Sequence, residues 1–158
     1  MGTKRKAKEK LEKSEDVVSR KRILVVDDHP VMREAIVQWI NHSGDMDVCG
    51  EAESVLEAIS LAKKDKPDMV VTDISMKGKD GLELIKSLRA MNPALPVLVL
   101  SMHSELLYAR RALRAGARGY IMKRDGGERV IAAIREIFQG ILAISPNISA
   151  ALPKGFLK

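Results

Sequence analysis

The chain has 158 residues, 46% hydrophobic and 30% charged, a composition that excludes a disordered or collagen-like polymer. At this length a fold buries roughly 68–70% of the surface its unfolded chain exposes, and with aromatics at only 3% the core must be aliphatic. The net charge of +6 is unevenly spread: residues 1–22 carry nine Lys/Arg against four Asp/Glu, whereas residues 23–150 carry 16 against 17, so the high pI belongs to the chain ends.

Residues 1–21, with their K-R-K-A-K-E-K run, have few apolar residues and read as a solvated basic tail. This tail is the only concentrated positive charge expected, and any nucleic-acid contact through it would be weak and sequence-independent. From Arg22 onward apolar runs alternate with helical patterns. Ile23-Leu24-Val25-Val26 is a β-rich run, followed by a helix from Pro30 to about His42. Met46 to Ala52 is a weaker strand, interrupted by Asp47 and Gly50, and suits a sheet edge. Ser54 with Glu57 three residues on marks the start of a helix over 54–65. Met69-Val70-Val71 is the third strand, and Asp80 is expected to cap the next helix, which runs to about Met91. Val97-Leu98-Val99-Leu100 is the most apolar strand and so central. A helix over 104–115 ends at Gly116, Tyr120-Ile121-Met122 is the fifth strand, and residues 126–139, with Asp125 as expected cap, form the last helix before Gly140.

Five strands alternating with five helices imply right-handed crossovers and a doubly wound, five-stranded parallel sheet of the flavodoxin-like α/β class. In the order 2-1-3-4-5, functional groups gather at the carboxyl ends of strands one and three, the topological switch point. Asp27 and Asp28 follow strand one, Asp73 strand three, Ser101 strand four and Lys123 strand five. Three neighbouring carboxylates repel one another unless a cation neutralises them, and hard oxygen donors suit Mg²⁺. Singly, each of these residues could be a helix cap or a solvated strand end. Falling together at four strand ends, they describe a site for a phosphoryl group.

At these residues the sequence resembles the receiver domain of bacterial two-component response regulators. The matching stretches are I-L-V-V-D-D-H-P (23–30), V-V-T-D-I-S-M-K-G-K-D-G-L-E-L-I (70–85), P-V-L-V-L-S (96–101) and R-G-Y-I-M-K (118–123). The resemblance implies that Asp73 is the phosphoacceptor, that Asp27, Asp28, Asp73 and the backbone carbonyl of Ser75 hold Mg²⁺, and that Lys123 pairs with the phosphoryl group. It makes Ser101 and Tyr120 the switch residues and gives Ser75 and His103 a role in tuning phosphoryl lifetime. The implied partners are a sensor histidine kinase and a second copy on phosphorylation. It implies a signalling domain and not a turnover enzyme. Lys77, and Arg124 after Lys123, stand where many receivers carry Pro. The D-D-H-P start and I-S-P-N-I-S-A-A-L (144–152) resemble the NarL/LuxR class, whose helix-turn-helix output follows a linker. Residues 22–142 are accordingly expected to be the receiver and 143–158 the start of that linker, with DNA reached only through an output domain outside these residues.

Rival readings are weaker. A haloacid-dehalogenase-type phosphohydrolase needs D-x-D after the first strand, where this chain has D-D-H-P. A scaffold pseudo-receiver would not need the full acidic set, and no glycine-rich nucleotide loop follows strand one. A stand-alone receiver acting by protein–protein contact is the alternative. His29, His42 and His103 are too scattered in sequence for a metal site of their own, and Trp39 is expected in the core. The single cysteine, Cys49, and the lack of an 18-residue apolar run fit a cytoplasmic protein.

Overall fold

The computed structural model describes residues 20–76, 79–102 and 106–156. Strand β1 (Lys21–Val26) leads into helix α1 (Pro30–Asn41), and β2 (Met46–Ala52) into α2 (Val55–Asp65). Strand β3 (Met69–Asp73) is followed by a two-strand hairpin of β4 (Ser75–Met76) and β5 (Lys79–Asp80), then α3 (Gly81–Met91). After β6 (Val97–Ser101) come α4 (Leu106–Ala115), β7 (Gly119–Met122), a short 3-10 turn (Lys123–Asp125) and α5 (Gly126–Phe138). The described chain closes with β8 (Ala143–Ile144) and α6 (Pro146–Ala151).

The sheet order is β2-β1-β3-β6-β7-β8, all pairs parallel. The expected five strands and their order are present, but a sixth, β8, extends the sheet beyond β7. It joins because β7 leaves an open edge: Ala143 N–H donates to Arg118 O at 3.1 Å and Ser145 N–H to Tyr120 O at 3.2 Å. Residues 143–151, expected as linker, thus pack on the domain, with Ile148 of α6 in its core.

Period-two alternation sorts the strands onto two cores. Leu24, Val26, Val70, Val99 and Tyr120 face α2, α3 and α4, while Ile23, Val25, Val71, Leu98 and Ile121 face α1 and α5. Strand β2 lies at the edge as expected, and its pairing slips between Ile23 and Leu24, leaving Cys49 as the extra residue of a bulge. Ser54 caps α2 by accepting from Glu57 N–H at 3.2 Å, whereas Glu57 Oε2 reaches back past Ser54 to Glu53 N–H at 3.3 Å, one residue beyond the reciprocal Ser54–Glu57 pairing of a capping box. Asp125 precedes α5 without a side-chain cap bond; its carboxylate instead accepts from Ser145 Oγ at 3.3 Å, so it ties the last helix to the C-terminal segment. Trp39 is only half-buried, its ring against Gly127, where a Cβ would lie 2.7 Å away. Lys77, His103 and the side chain of Asp80 lie outside the described residues.

The tail is not the sole concentration of positive charge. Folding brings Lys86 of α3 and Arg111 and Arg114 of α4 around one cleft, although they are dispersed in sequence.

Candidate functional site

The carboxyl ends of β1 and β3 are neighbours, so the loops leaving them place their acids side by side. Asp27 is fully buried, Asp73 is 4% exposed, and Lys123 rises from the end of β7 with 4% exposed. The Lys123 ammonium donates to Asp27 Oδ2 at 2.8 Å and lies 3.4 Å from Asp73 Oδ2. One ammonium cannot offset Asp27, Asp28 and Asp73 together. Burial pushes the Asp73 carboxyl above its ordinary range; Lys123 pulls it down, Asp27 raises it again, and the Ser75 N–H, donating to Asp73 Oδ1 at 3.4 Å, lowers it.

Asp27, Asp28, His29 and Asp73 each offer a donor atom, and these four atoms lie within 4.8 Å of one another. Three hard carboxylates at that separation, with an exposed mouth at His29, fit a divalent cation that keeps part of its water. The imidazole Nδ1 of His29 stands 2.9 Å from Asp28 Oδ1, 3.1 Å from Asp27 Oδ1 and 3.8 Å from Asp73 Oδ2. Histidine spacing alone did not suggest this, because only one of the three histidines is involved. Its signal was position, directly after the acidic pair.

Ser101 ends β6 fully buried, one residue beyond Leu100, the register partner of Asp73. Tyr120 lies fully buried in β7 among the α4 alanines Ala109 and Ala112, so its ring occupies an inward position in this structure. Ser75 opens the β4–β5 hairpin with an exposed side chain. Two further residues shape the site. Arg33 of α1 donates to Asp27 O at 2.8 Å and to Glu51 Oε1 at 3.3 Å, fixing the β1–α1 loop against β2. Gly81 lets α3 start against the Asp73 loop: a Cβ there would stand 2.8 Å from Asp73 O and Ile74 Cα.

A doubly wound parallel sheet with acids, a buried lysine and a buried serine clustered at its switch point defines the CheY-like receiver class. The chain belongs to the response regulator receiver domain family, whose family model matches residues 23–135. It is 36% identical over 131 residues to the response regulator GacA of Pseudomonas aeruginosa, covering 83% of this chain and 61% of that protein. It is 31% identical over the same length to a probable transcriptional regulatory protein NarL of Mycobacterium tuberculosis, with the same coverage. Among solved structures, a LuxR-family two-component response regulator from Aurantimonas sp. SI85-9A1 superposes with a TM-score of 0.80 at 35% identity, over 84% of this chain and 94% of that one. The chain thus spans about three-fifths of the length of the curated relatives it matches, 61% in both cases given. Among the described residues no helix is long and apolar enough to cross a membrane.

Proposed function

We propose that the chain is a phosphorylation-controlled cytoplasmic switch in which Asp73 accepts a phosphoryl group from the phosphohistidine of a sensor kinase. The observation that carries the reading is the Asp27–Asp73–Lys123 cluster, with Nζ 2.8 and 3.4 Å from two buried carboxylates. An Asp73 carboxylate oxygen attacks phosphorus, the phosphorus–nitrogen bond breaks, and the imidazole leaves with the electron pair. Lys123 holds the non-bridging oxygens as negative charge builds. Mg²⁺ would be held by Asp27, Asp28, Asp73 and the Ser75 carbonyl, and when bound supplies charge neutralisation to the phosphoryl oxygens.

The acyl phosphate offers Ser101 a new acceptor. Drawing that hydroxyl toward the site favours the inward Tyr120 ring and with it one surface of β7, α4 and the C-terminal segment. In this reading Ser75 and His103 tune access of hydrolytic water. Residues 22–142 act as the receiver, 1–21 as a basic arm, and 143–158 lead toward an output domain controlling transcription as a phosphorylation-dependent homodimer. Autophosphorylation and dephosphorylation are the only chemistry in this reading.

The test is incubation with acetyl phosphate and Mg²⁺, followed by intact mass. One acid-stable, base-labile phosphoryl group is expected, lost with EDTA and in Asp73→Asn. Labelling that persists in the Asn variant would sink the assignment.

A further inference from the structure

The cations of α3 and α4 are not explained by the phosphoacceptor site. No Asp or Glu occurs between Glu83 and Glu105 or between Glu105 and Asp125, while Lys86, Arg89, Arg110, Arg111, Arg114 and Arg118 all fall there. A cleft of about 410 Å³ between the helices is lined by Lys86, Arg111 and Arg114. A second, of about 330 Å³, shares Arg114 and adds Arg89, Arg118 and the ring of Phe156. Elsewhere Arg20, Arg33, Arg129 and Arg135 each face a carboxylate within 4.0 Å; among the described residues none of the five cations lining these clefts does.

Several of the guanidiniums are held in place without a carboxylate partner among the described residues. Arg89 lies across Gly116, donating to its carbonyl at 3.5 Å, and a Cβ at Gly116 would stand 2.5 Å from Nη1. Arg110 and Arg114 stand 5.7 and 5.4 Å from the Phe156 ring centroid. Helix dipoles account for Arg89 and Arg114, each in a last turn, but not for Lys86, Arg111 or Arg118. Arg89, Arg114 and Arg118 also lie toward the amino ends of the strands, opposite the aspartates, so the acidic centre does not repel an anion there.

We propose that this α3–α4 face is a phosphate-recognising surface whose ligand is the backbone of a nucleic acid, bound without reading its sequence. Guanidinium forks match phosphate oxygens, and a strip of five cations across two clefts exceeds what a single carboxylate or mononucleotide requires. The half-buried Phe156 at its edge supplies the aromatic element that such surfaces combine with positive charge. The proposal is independent of the phosphoacceptor reading.

The experiment uses the full chain and a fluorescein-labelled 20-mer, single-stranded and as duplex, by anisotropy between about 50 and 200 mM salt. Two double variants carry the same charge change: Arg111→Glu with Arg114→Glu on the face, and Lys63→Glu with Lys64→Glu on α2. Each lost phosphate contact lowers the duplex log–log salt slope by about 0.9. The face variant is therefore expected to bind at least about tenfold more weakly with a slope smaller by about 1.8, and the α2 variant to stay within about threefold. Arg111→Lys with Arg114→Lys should keep most of the binding, and Arg111→Gln with Arg114→Gln repeats the test if melting shows the Glu pair misfolded. Equal losses on both faces, or no loss on either, overturn the proposal. So does displacement of the oligonucleotide by poly-glutamate at equal charge, which would make the face a dock for an acidic protein.

Discussion

Replacing Lys123 by Met keeps most of the side-chain stem and removes the ammonium that faces both Asp27 and Asp73. Its side chain is 2% exposed and the partners 0% and 4%, so the carboxylates left behind have little water to turn to. Removing one member of such a buried pair costs about 3–5 kcal/mol, against about 0–1 for an exposed pair. For a chain of this size that is a fall in Tm of about 6–20 °C, taking about 2–4 °C per kcal/mol. The loss should depend on pH in a stated direction. Lys123 holds the Asp73 carboxyl down against burial, so its removal raises that group further above its unfolded value. A carboxyl raised on folding favours the native state below the unfolded pKa and loses that contribution as pH rises toward the folded one. The deficit of the variant is therefore largest near neutrality and shrinks in acid. Urea unfolding in EDTA at several pH values measures it, and Asp27→Asn added to Lys123→Met should recover part of the loss in a double-mutant cycle. A deficit below about 1 kcal/mol at neutral pH, the level of an exposed pair, would refute the claim that these charges are held away from water.

Asp73→Asn should be more stable than wild type at neutral pH, with the gain vanishing as pH falls below the ordinary carboxylate range, because Asn removes a carboxyl that burial penalises when ionised; thermal melts at both pH values check it, and a less stable Asn variant at neutrality contradicts it. Ser101→Ala should still take a phosphoryl group from acetyl phosphate but dimerise less on phosphorylation, read by light scattering; equal dimerisation removes Ser101 from the relay. Gly81→Ala should destabilise by about 1–3 kcal/mol and slow Asp73 phosphorylation, since its Cβ meets backbone atoms that cannot rotate away; unchanged denaturation midpoint and labelling rate would count against the close approach.

The elements that position the site were legible because each carries its own pattern. β1, β3 and β6 are short, apolar and bounded by turn residues, and the acids follow them at once. Helices α2, α3 and α5 declare themselves by apolar spacing, with Ala58 and Ala62, Leu84 and Leu88, and Val130, Ile134 and Ile137 all buried. What sequence could not show depends on partners distant in the chain. Ala143–Ile144 has too few residues for a strand pattern and is extended by the open edge of β7. The Asp125 carboxylate finds Ser145, 20 residues away, in place of its own helix end. His29 matters because the β1–β3 pairing brings Asp73 beside it, and the arginine strip because α3 and α4 lie side by side. A linear charge count reports neither.

Tyr120 ties the central sheet to the C-terminal segment. Its β7 neighbour Ile121 pairs with Leu100, the same residue that pairs with Asp73, so the Asp73 strand and the Tyr120 strand are both locked in register to β6. On the other side, the Tyr120 carbonyl accepts the Ser145 N–H, and its ring shares a core with Ile148 of α6. A shift of that ring therefore cannot be accommodated within β7 without disturbing β8 or α6, because close-packed interiors leave no slack to absorb it. Ser145 also holds Asp125 at the start of α5, so the same displacement bears on two helices at once. In the proposed relay, the sixth strand, which no residue pattern announced, would carry a change at Ser101 from the buried aspartates to the C-terminal residues.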